Sequence, residues 1–128
     1  MKNLIFTIAL IFGGNSANAY AVSEEAPLAV LKISDGRSIL TKDGLSVYIF
    51  DEDSGGISSC YDACASAWPA VLVTAETVLG SSMGVTVRND GAQQLTYKGQ
   101  PVYFFVGDGA SEDINGDGLG GVWHIIVL

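Results

Sequence analysis

The stretch VYIFDED at residues 47–53 decides the fold, because the same pattern returns 55 residues later as VYFFVGD at residues 102–108. With a shift of 55, residues 33–73 align with residues 88–128 without a gap, and eleven of the 41 aligned positions are identical. Unrelated stretches would share about two or three positions, so the pattern indicates a duplicated unit. Both copies carry the motif Tyr-x-Phe-x-x-Asp, formed by Tyr48, Phe50 and Asp53 in the first copy and by Tyr103, Phe105 and Asp108 in the second.

The composition and the turn signals predict strands rather than helices. Asp-Gly, Gly-Gly and Lys-Gly pairs separate short apolar runs, and the chain has sixteen glycines but only three prolines. Side chains alternate along a strand, and residues 47–50 are apolar on both faces, which is typical of the interior of a sandwich or closed barrel. We predict an all-β single domain, a sandwich or small barrel, of two tandem units of 41 residues with one short helical excursion near the cysteines.

A loop of about fourteen residues follows each motif and precedes a closing strand that begins at Trp68 or Trp123. We call residues 54–67 the cysteine loop and residues 109–122 the acidic loop. Long loops inside compact domains are usually functional or stapled, so we expect any chemistry to lie there. The paired Tyr-x-Phe side chains predict a core stripe whose hydroxyls find partners at its edge, with a ligand-stacking platform as the alternative. The two tryptophans predict core or rim anchors.

The first residues of the chain have the three parts of a secretory signal. A lysine near the start precedes an apolar run at residues 4–12. The segment of residues 1–19 ends with small residues. The run is about half of the ~20 residues that cross a bilayer as a helix, and no cysteine stands at the cleavage site to carry a lipid. We therefore expect a periplasmic or secreted protein without a transmembrane anchor, with residues 20–27 as a flexible N-terminus and residues 28–128 as the two-repeat domain.

The charge of the mature chain restricts its partners. Cleavage before Tyr20 leaves five basic and fourteen acidic side chains, a formal charge of −9. Such a surface repels nucleic acid and anionic lipid. It favours a cation or a cationic or envelope partner.

Cys60 and Cys64 are the only thiols of this exported chain, so an intramolecular disulfide is the leading interpretation. Side chains four apart on a regular helix are about 5–6 Å apart at Cβ, whereas a disulfide needs about 3.5–4.5 Å. The turn that joins the two cysteines should therefore be distorted or non-helical. There are two alternatives. The cysteines could be a redox pair, or both thiolates could join His124 and Met83 in a zinc or copper site.

The acidic loop contains the pattern D-x-N-x-D-G at residues 113–118, with oxygen-bearing side chains at Asp113, Asn115 and Asp117. Alternate residues of a turning loop can converge their oxygens on one Ca²⁺ ion. The twelfth position of the pattern is His124 rather than a glutamate, which excludes an EF-hand. The alternative is a polar loop held by hydrogen bonds from side chains to the backbone. His124 itself is either a structural residue of the last strand or a partner of the cation loop or of a ligand.

These segments together resemble the bacterial secreted-repeat family, often called predicted lipoproteins with a Yx(FWY)xxD motif. The resemblance rests on the two motifs, on CYDAC at residues 60–64 followed by Trp68-Pro69, and on NGDGLGGVWH at residues 115–124. It covers nearly the whole mature chain and implies an envelope location and tandem repeats, but no biochemical role. The chain differs from the lipoprotein members because it lacks their lipid-bearing cysteine.

The sequence contains no Gly-x-Ser-x-Gly, no His-Glu-x-x-His and no phosphate-binding glycine loop, and it has a single histidine. We therefore expect an exported, non-catalytic binding or structural module with no certain cofactor, for which Ca²⁺ is the candidate ion. The alternative is an envelope redox or metal-handling protein that uses Cys60 and Cys64.

Overall fold

The computed structural model describes residues 23–128. The predicted signal peptide at residues 1–19, and residues 20–22 of the predicted flexible N-terminus, lie outside this part. Within residues 23–128 the chain is mostly β, with one short α-helix beside the cysteines, as predicted. Its elements are β1 (Ala29–Lys32), β2 (Ser38–Lys42), β3 (Leu45–Ser46), β4 (Tyr48–Phe50), α1 (Ala63–Ala67), β5 (Met83–Val87), β6 (Gln93–Tyr97), β7 (Gln100–Tyr103), a 3-10 helix (Leu119–Gly121) and β8 (Trp123–Ile125).

The strands described within residues 23–128 form two antiparallel sheets. The smaller sheet has the order β1-β2-β3, and the larger has the order β5-β6-β7-β4-β8. A bridge between Ile39 and Val127 links β2 to the end of the chain, just after β8. The described strands do not close into a barrel.

Two equivalent hairpins show why the sequence folds this way locally. Asp43 and Gly44 connect β2 to β3 with φ angles of 54° and 84°, and Lys98 and Gly99 connect β6 to β7 with φ angles of 49° and 82°. Two consecutive positive φ angles define the type I′ turn, whose twist matches that of the flanking strands. The Asp-Gly and Lys-Gly pairs thus set the register of both hairpins.

The two repeats meet at the centre of the larger sheet. β4 of the first repeat pairs with β7 of the second, and Tyr48 lies directly opposite Tyr103. Because these tyrosines are equivalent positions of the duplication, the local twofold relation between the repeats passes between them. The Tyr-x-Phe-x-x-Asp motif is therefore the seam between the two copies.

The segment that closes each repeat pairs with strands of the other repeat. The first closing segment contributes single bridges, whereas the second begins with the regular strand β8. This exchange interlocks the repeats into one domain. The bridges join Ala70 to Tyr103 and Leu72 to Gln94 in one half, and Ile125 to Tyr48 and Val127 to Ile39 in the other.

The first closing segment differs from the strand expected to begin at Trp68. Trp68 is instead the C-cap of α1, and Pro69 follows it. Proline has no N–H to give to a ladder, so the segment can only accept there, and the Pro69 carbonyl accepts the N–H of Phe104 at 2.7 Å. The equivalent of Pro69 in the second repeat is His124, which lies within β8.

In the described part of the chain, two hydrophobic cores lie on opposite faces of the strands, as the apolar character of both faces predicts. Val47 and Val102 belong to the first core, and their neighbours Tyr48 and Tyr103 belong to the second. All four side chains are fully buried. The second core also holds Trp68 and Trp123, and the motif side chains Phe50 and Phe105 pack against it.

The chain just before β1 packs against the segment that joins the repeats. The N–H groups of Gly80 and Ser82 donate to the carbonyls of Ala26 and Glu24 at 2.9 and 3.0 Å. A side chain at position 80 would collide with the carbonyl of Ser23, so only glycine fits there. Within residues 23–128, no helix is long and apolar enough to cross a membrane.

Candidate functional site

The hydroxyls of the two motif tyrosines cross from one repeat to the other. Tyr48 donates to Oδ2 of Asp108 at 2.6 Å, and Tyr103 donates to Oδ2 of Asp53 at 2.7 Å. Each tyrosine therefore binds the aspartate of the other motif, not its own. This exchange explains why each motif carries both a tyrosine and an aspartate, because both residues are needed to join the repeats.

The second oxygen of each motif aspartate holds the loop that follows it. Oδ1 of Asp53 accepts the N–H and the hydroxyl of Ser59, both at 2.8 Å. Oδ1 of Asp108 accepts the N–H of Asn115 at 3.0 Å. Each aspartate thus connects its own loop to the tyrosine of the other repeat.

Burial keeps both tyrosine hydroxyls protonated. It raises the pKa of Tyr48, and the hydrogen bond to the Asp108 carboxylate raises it further. Burial likewise raises the pKa of Tyr103 to about 12, with a further contribution from Asp53. Both hydroxyls therefore remain donors at neutral pH.

Four aromatic rings form a continuous stack across the seam. Trp68 and Trp123 lie parallel with centroids 3.8 Å apart and an interplanar angle of 1°. Phe50 stacks on Trp123 at 4.0 Å, and Phe105 stacks on Trp68 at 4.3 Å. Each phenylalanine therefore stacks on the tryptophan of the other repeat. The tryptophans are core anchors, each 6% exposed, and the rings occupy each other's faces rather than offering a platform to a ligand.

The acidic loop closes over this stack. Gly116 lies against the rings of Trp68 and Phe105, and a side chain at this position would collide with both. Its N–H donates to the Tyr48 hydroxyl at 3.1 Å. The loop is therefore a lid of the aromatic core.

The cysteine loop is closed by a disulfide between Cys60 and Cys64, with Cα atoms 5.2 Å apart. Cys60 precedes α1, and Asp62 between them adopts a positive φ of 57°. The distorted, non-helical turn expected between the cysteines is thus observed. Cys60 is fully buried, whereas Cys64 is half-buried.

A buried arginine beside the disulfide was not predicted from the sequence. Arg88 is 8% exposed, and its Nη1 donates to the Ser58 hydroxyl at 2.9 Å and to Oε1 of Gln94 at 2.8 Å. Its Nη2 donates to the Cys60 carbonyl at 2.7 Å, and the guanidinium lies 4.3 Å from the ring centroid of Tyr61. Ser58 is also hydrogen-bonded to the Tyr103 hydroxyl, which connects Arg88 to the seam.

The alignment of the repeats contained a signal for this group. Arg88 and Gln94 align with Ile33 and Ile39, two buried residues of the second core. A polar side chain at a position that is apolar in the other copy indicates a local change of partner. The new partner of Arg88 is the cysteine loop, whose Ser58 and Cys60 supply two of its hydrogen-bond acceptors.

In the acidic loop, the three predicted ligands all bind the backbone. Oδ2 of Asp113 accepts the N–H groups of Gly109 and Ala110, both at 2.9 Å. The Asn115 amide donates to the carbonyl of Gly107 at 3.1 Å, and Oδ1 of Asp117 accepts the N–H of Ile125 at 3.1 Å. These contacts are those of a loop held by its own side chains. Among residues 23–128, no three His, Cys, Asp or Glu side chains converge in a metal-binding cluster.

Glu112 fastens the acidic loop to the turn between β1 and β2. Its Oε1 accepts the hydroxyl and the N–H of Ser34 at 2.6 and 2.8 Å. These hydrogen bonds lower the pKa of Glu112. The loop is thus tied to the first repeat at its rim as well as at the aromatic core.

His124 and Met83 lie apart from the disulfide. Nε2 of His124 is 2.7 Å from Oδ2 of Asp51, and both side chains are exposed, by 40% and 49%. Met83 packs against the first core, whereas Cys60 belongs to the second. The structure does not bring the predicted thiolate, histidine and methionine ligands together.

The fold and the seam define an all-β module of two interlocked repeats. The family model described as "Secreted repeat of unknown function" matches residues 29–72 and again residues 84–127. The second match begins and ends 55 residues after the first, the offset found in the sequence. The chain belongs to this family of secreted repeats. No curated protein and no solved structure matches it.

Proposed function

We propose that this protein is an exported, non-catalytic structural or binding module. Its two repeats form a disulfide-bonded domain that presents its loops to an envelope partner. One observation carries the proposal: the titratable side chains of both motifs are used inside the seam. Tyr48, Tyr103, Asp53 and Asp108 bind one another across the repeats. Groups held in this way position the two repeats and are not available to a substrate.

Three features support an oxidising compartment outside the cytoplasm. The sequence begins with a signal-like segment at residues 1–19, the matched family is described as secreted, and the chain carries a disulfide. Disulfides persist where the environment is oxidising. Fractionation of cells that express the full chain with a C-terminal tag tests this part. We expect the shortened mature chain in the periplasm or the medium, and a full-length cytoplasmic product would contradict it.

The charge of the mature chain favours a cationic partner. A formal charge of −9 attracts basic surfaces and repels nucleic acid. Ile57 of the cysteine loop and Val106 beside the acidic loop are large apolar side chains that are 67% and 60% exposed. We propose that these two positions flank the binding surface.

Photo-crosslinking in the intact envelope tests the surface. A photoreactive residue at Ile57 or Val106 should give a discrete protein adduct that salt suppresses. The matched control is Val78, which is 62% exposed but belongs to the segment that joins the two repeats along the chain. A photoreactive residue at this position should give no adduct. Equal labelling from all three positions, or no adduct from the first two, would refute a binding role at this surface.

The cation part of the sequence prediction is testable on the purified protein. The backbone contacts of Asp113 and Asp117 favour a loop held by hydrogen bonds. We therefore expect the melting temperature to change by less than about 1 °C between EDTA and millimolar Ca²⁺. A saturable rise with Ca²⁺ that Asp117→Asn abolishes would establish the cation site instead.

A further inference from the structure

The guanidinium of Arg88 is a buried charge whose hydrogen-bond acceptors in residues 23–128 are all neutral. They are the Ser58 hydroxyl, the Gln94 amide oxygen and the Cys60 carbonyl. A buried ion without a counter-charge is tolerated only while its acceptors stay in place. The burial of Arg88 therefore depends on the position of the cysteine loop.

Residues of the disulfide-closed turn form one side of the enclosure around Arg88. Cys60 supplies a carbonyl, and Tyr61 supplies a ring 4.3 Å from the guanidinium. The Tyr61 hydroxyl also accepts the N–H of Asn89 at 3.1 Å, next to Arg88. The other side, at Gln94, belongs to β6 and is independent of the disulfide.

The part of the loop before the disulfide has separate attachments. Ser58 is bonded to Tyr103, and Ser59 donates twice to Asp53. The residues of the aromatic stack are joined by ring contacts and not by the disulfide. Cys60 belongs to the same core as the stack, but the hydrogen bonds and ring contacts of the seam do not pass through its sulfur. Loss of the disulfide would therefore loosen residues 60–64 before it affects the seam.

We propose that the Cys60–Cys64 disulfide is a redox latch that keeps Arg88 buried. Its reduction releases residues 60–64 and exposes the guanidinium together with the Tyr61 ring. The module then presents a cationic and aromatic site on an otherwise acidic surface. In the equivalent place the second core holds Ile33, which needs no such enclosure.

The reductant is a dithiol, and its access decides the order of the steps. Its thiolate attacks the sulfur of Cys64, because Cys64 is half-buried whereas Cys60 is fully buried. The S–S bond breaks, and its electron pair leaves with the Cys60 sulfur, which takes up a proton. The second thiolate of the reductant then attacks the mixed disulfide and releases Cys64, which is protonated in turn. The protein gains two thiols, and the dithiol becomes a disulfide.

Arginine labelling provides a direct test, because the chain contains only two arginines, Arg37 and Arg88. Phenylglyoxal is applied to the full mature chain in its oxidised form, and to the same protein after dithiothreitol treatment and alkylation with iodoacetamide. Peptide mass spectrometry then reads each site. Arg37, whose side chain is 40% exposed, is the internal control and should label equally in both forms. Labelling follows the population of open molecules, so Arg88 should react at least about tenfold faster after reduction.

A second form of the protein keeps the test independent of alkylation. The variant Cys60→Ser/Cys64→Ser should label Arg88 at the faster rate without any reductant. Near-ultraviolet and far-ultraviolet circular dichroism of the coupled pair Trp68 and Trp123 should persist, which shows that the seam is folded. Slow labelling of Arg88 in both the serine variant and the reduced, alkylated protein would overturn the proposal. Loss of the tryptophan signal would overturn it as well, since the disulfide would then be a staple of the whole fold.

Discussion

The loops that follow the two motifs have the same place in the repeat but are held by different chemistry. The cysteine loop is closed by a disulfide and rests on the buried Arg88. The acidic loop is held by carboxylates that accept hydrogen bonds from its own backbone, and it covers the aromatic stack with Gly116. The seam beneath them is the same in both halves. The comparison shows that the motif fixes how the repeats join, whereas each loop is adapted to the strand it meets.

The largest effect is expected from breaking the part that the halves share. Trp68→Ala and Trp123→Ala should each lower the free energy of unfolding by about 3–5 kcal/mol, because each leaves a cavity in the stack. Urea titration measures both. Val87→Ala, at a side chain that is 68% exposed, is the control and should change stability by less than about 0.5 kcal/mol. A clearly smaller loss at one tryptophan would show that the two halves do not share the stack equally.

The crossed tyrosines should reveal a smaller asymmetry. Tyr48→Phe removes the donor to Oδ2 of Asp108, a residue that is only 8% exposed, whereas Tyr103→Phe removes the donor to Oδ2 of Asp53, which is half-buried and can reach water. An unpaired buried group costs about 1–3 kcal/mol, so Tyr48→Phe should fall near the upper end and Tyr103→Phe near the lower. A cycle with Asp108→Asn measures the coupling of the Tyr48 pair. Additive effects would contradict a direct bond between them.

The raised pKa values of the same hydroxyls predict loss of stability in alkali. A group whose folded pKa is above its unfolded value stabilises the fold fully below the unfolded pKa and loses that effect as pH rises. For Tyr103 the loss should run from pH about 10, the unfolded value, to about 12. Equilibrium unfolding of the wild type and Tyr103→Phe at several alkaline pH values checks this. The variant should show a shallower decline, and parallel curves would refute the assignment.

The smallest effect is expected at the exposed pair on the last strand. His124→Asn removes the contact with Asp51, but both side chains are largely exposed to water. Such pairs are worth about 0–1 kcal/mol, so stability should fall by no more than that. Thermal unfolding of His124→Asn beside Asp51→Asn measures it. A loss comparable to that of a tryptophan variant would mean that His124 has a role beyond this surface contact.

Several particular features could be predicted because they are local. The Asp-Gly and Lys-Gly pairs predict the hairpins, since φ preferences depend on one or two residues. The spacing of Cys60 and Cys64 predicts both the disulfide and the broken turn between them, because four residues restrict the geometry. Trp68 was expected to begin a strand, and Pro69 prevents this by removing a donor.

The candidate site could be predicted only in part, because its contacts join distant positions. Tyr48 and Asp108 are 60 residues apart, and Tyr103 and Asp53 are 50 apart. A repeat alignment shows that the tyrosines and the aspartates are equivalent, but it does not show which tyrosine binds which aspartate. Arg88 is a stronger example, since arginine is usually exposed.

The sequence by itself determined the duplication, its 55-residue offset, the strand-rich class and the likeness to a family of secreted repeats. These follow from patterns along the chain, which report the face of a strand and the place of a turn. Only the tertiary structure decided that the motifs cross between repeats, that each closing segment enters the other half, and that Arg88 lies against Cys60. Those choices depend on which surfaces bury each other best, and periodicity along a chain contains no information about the identity of a partner.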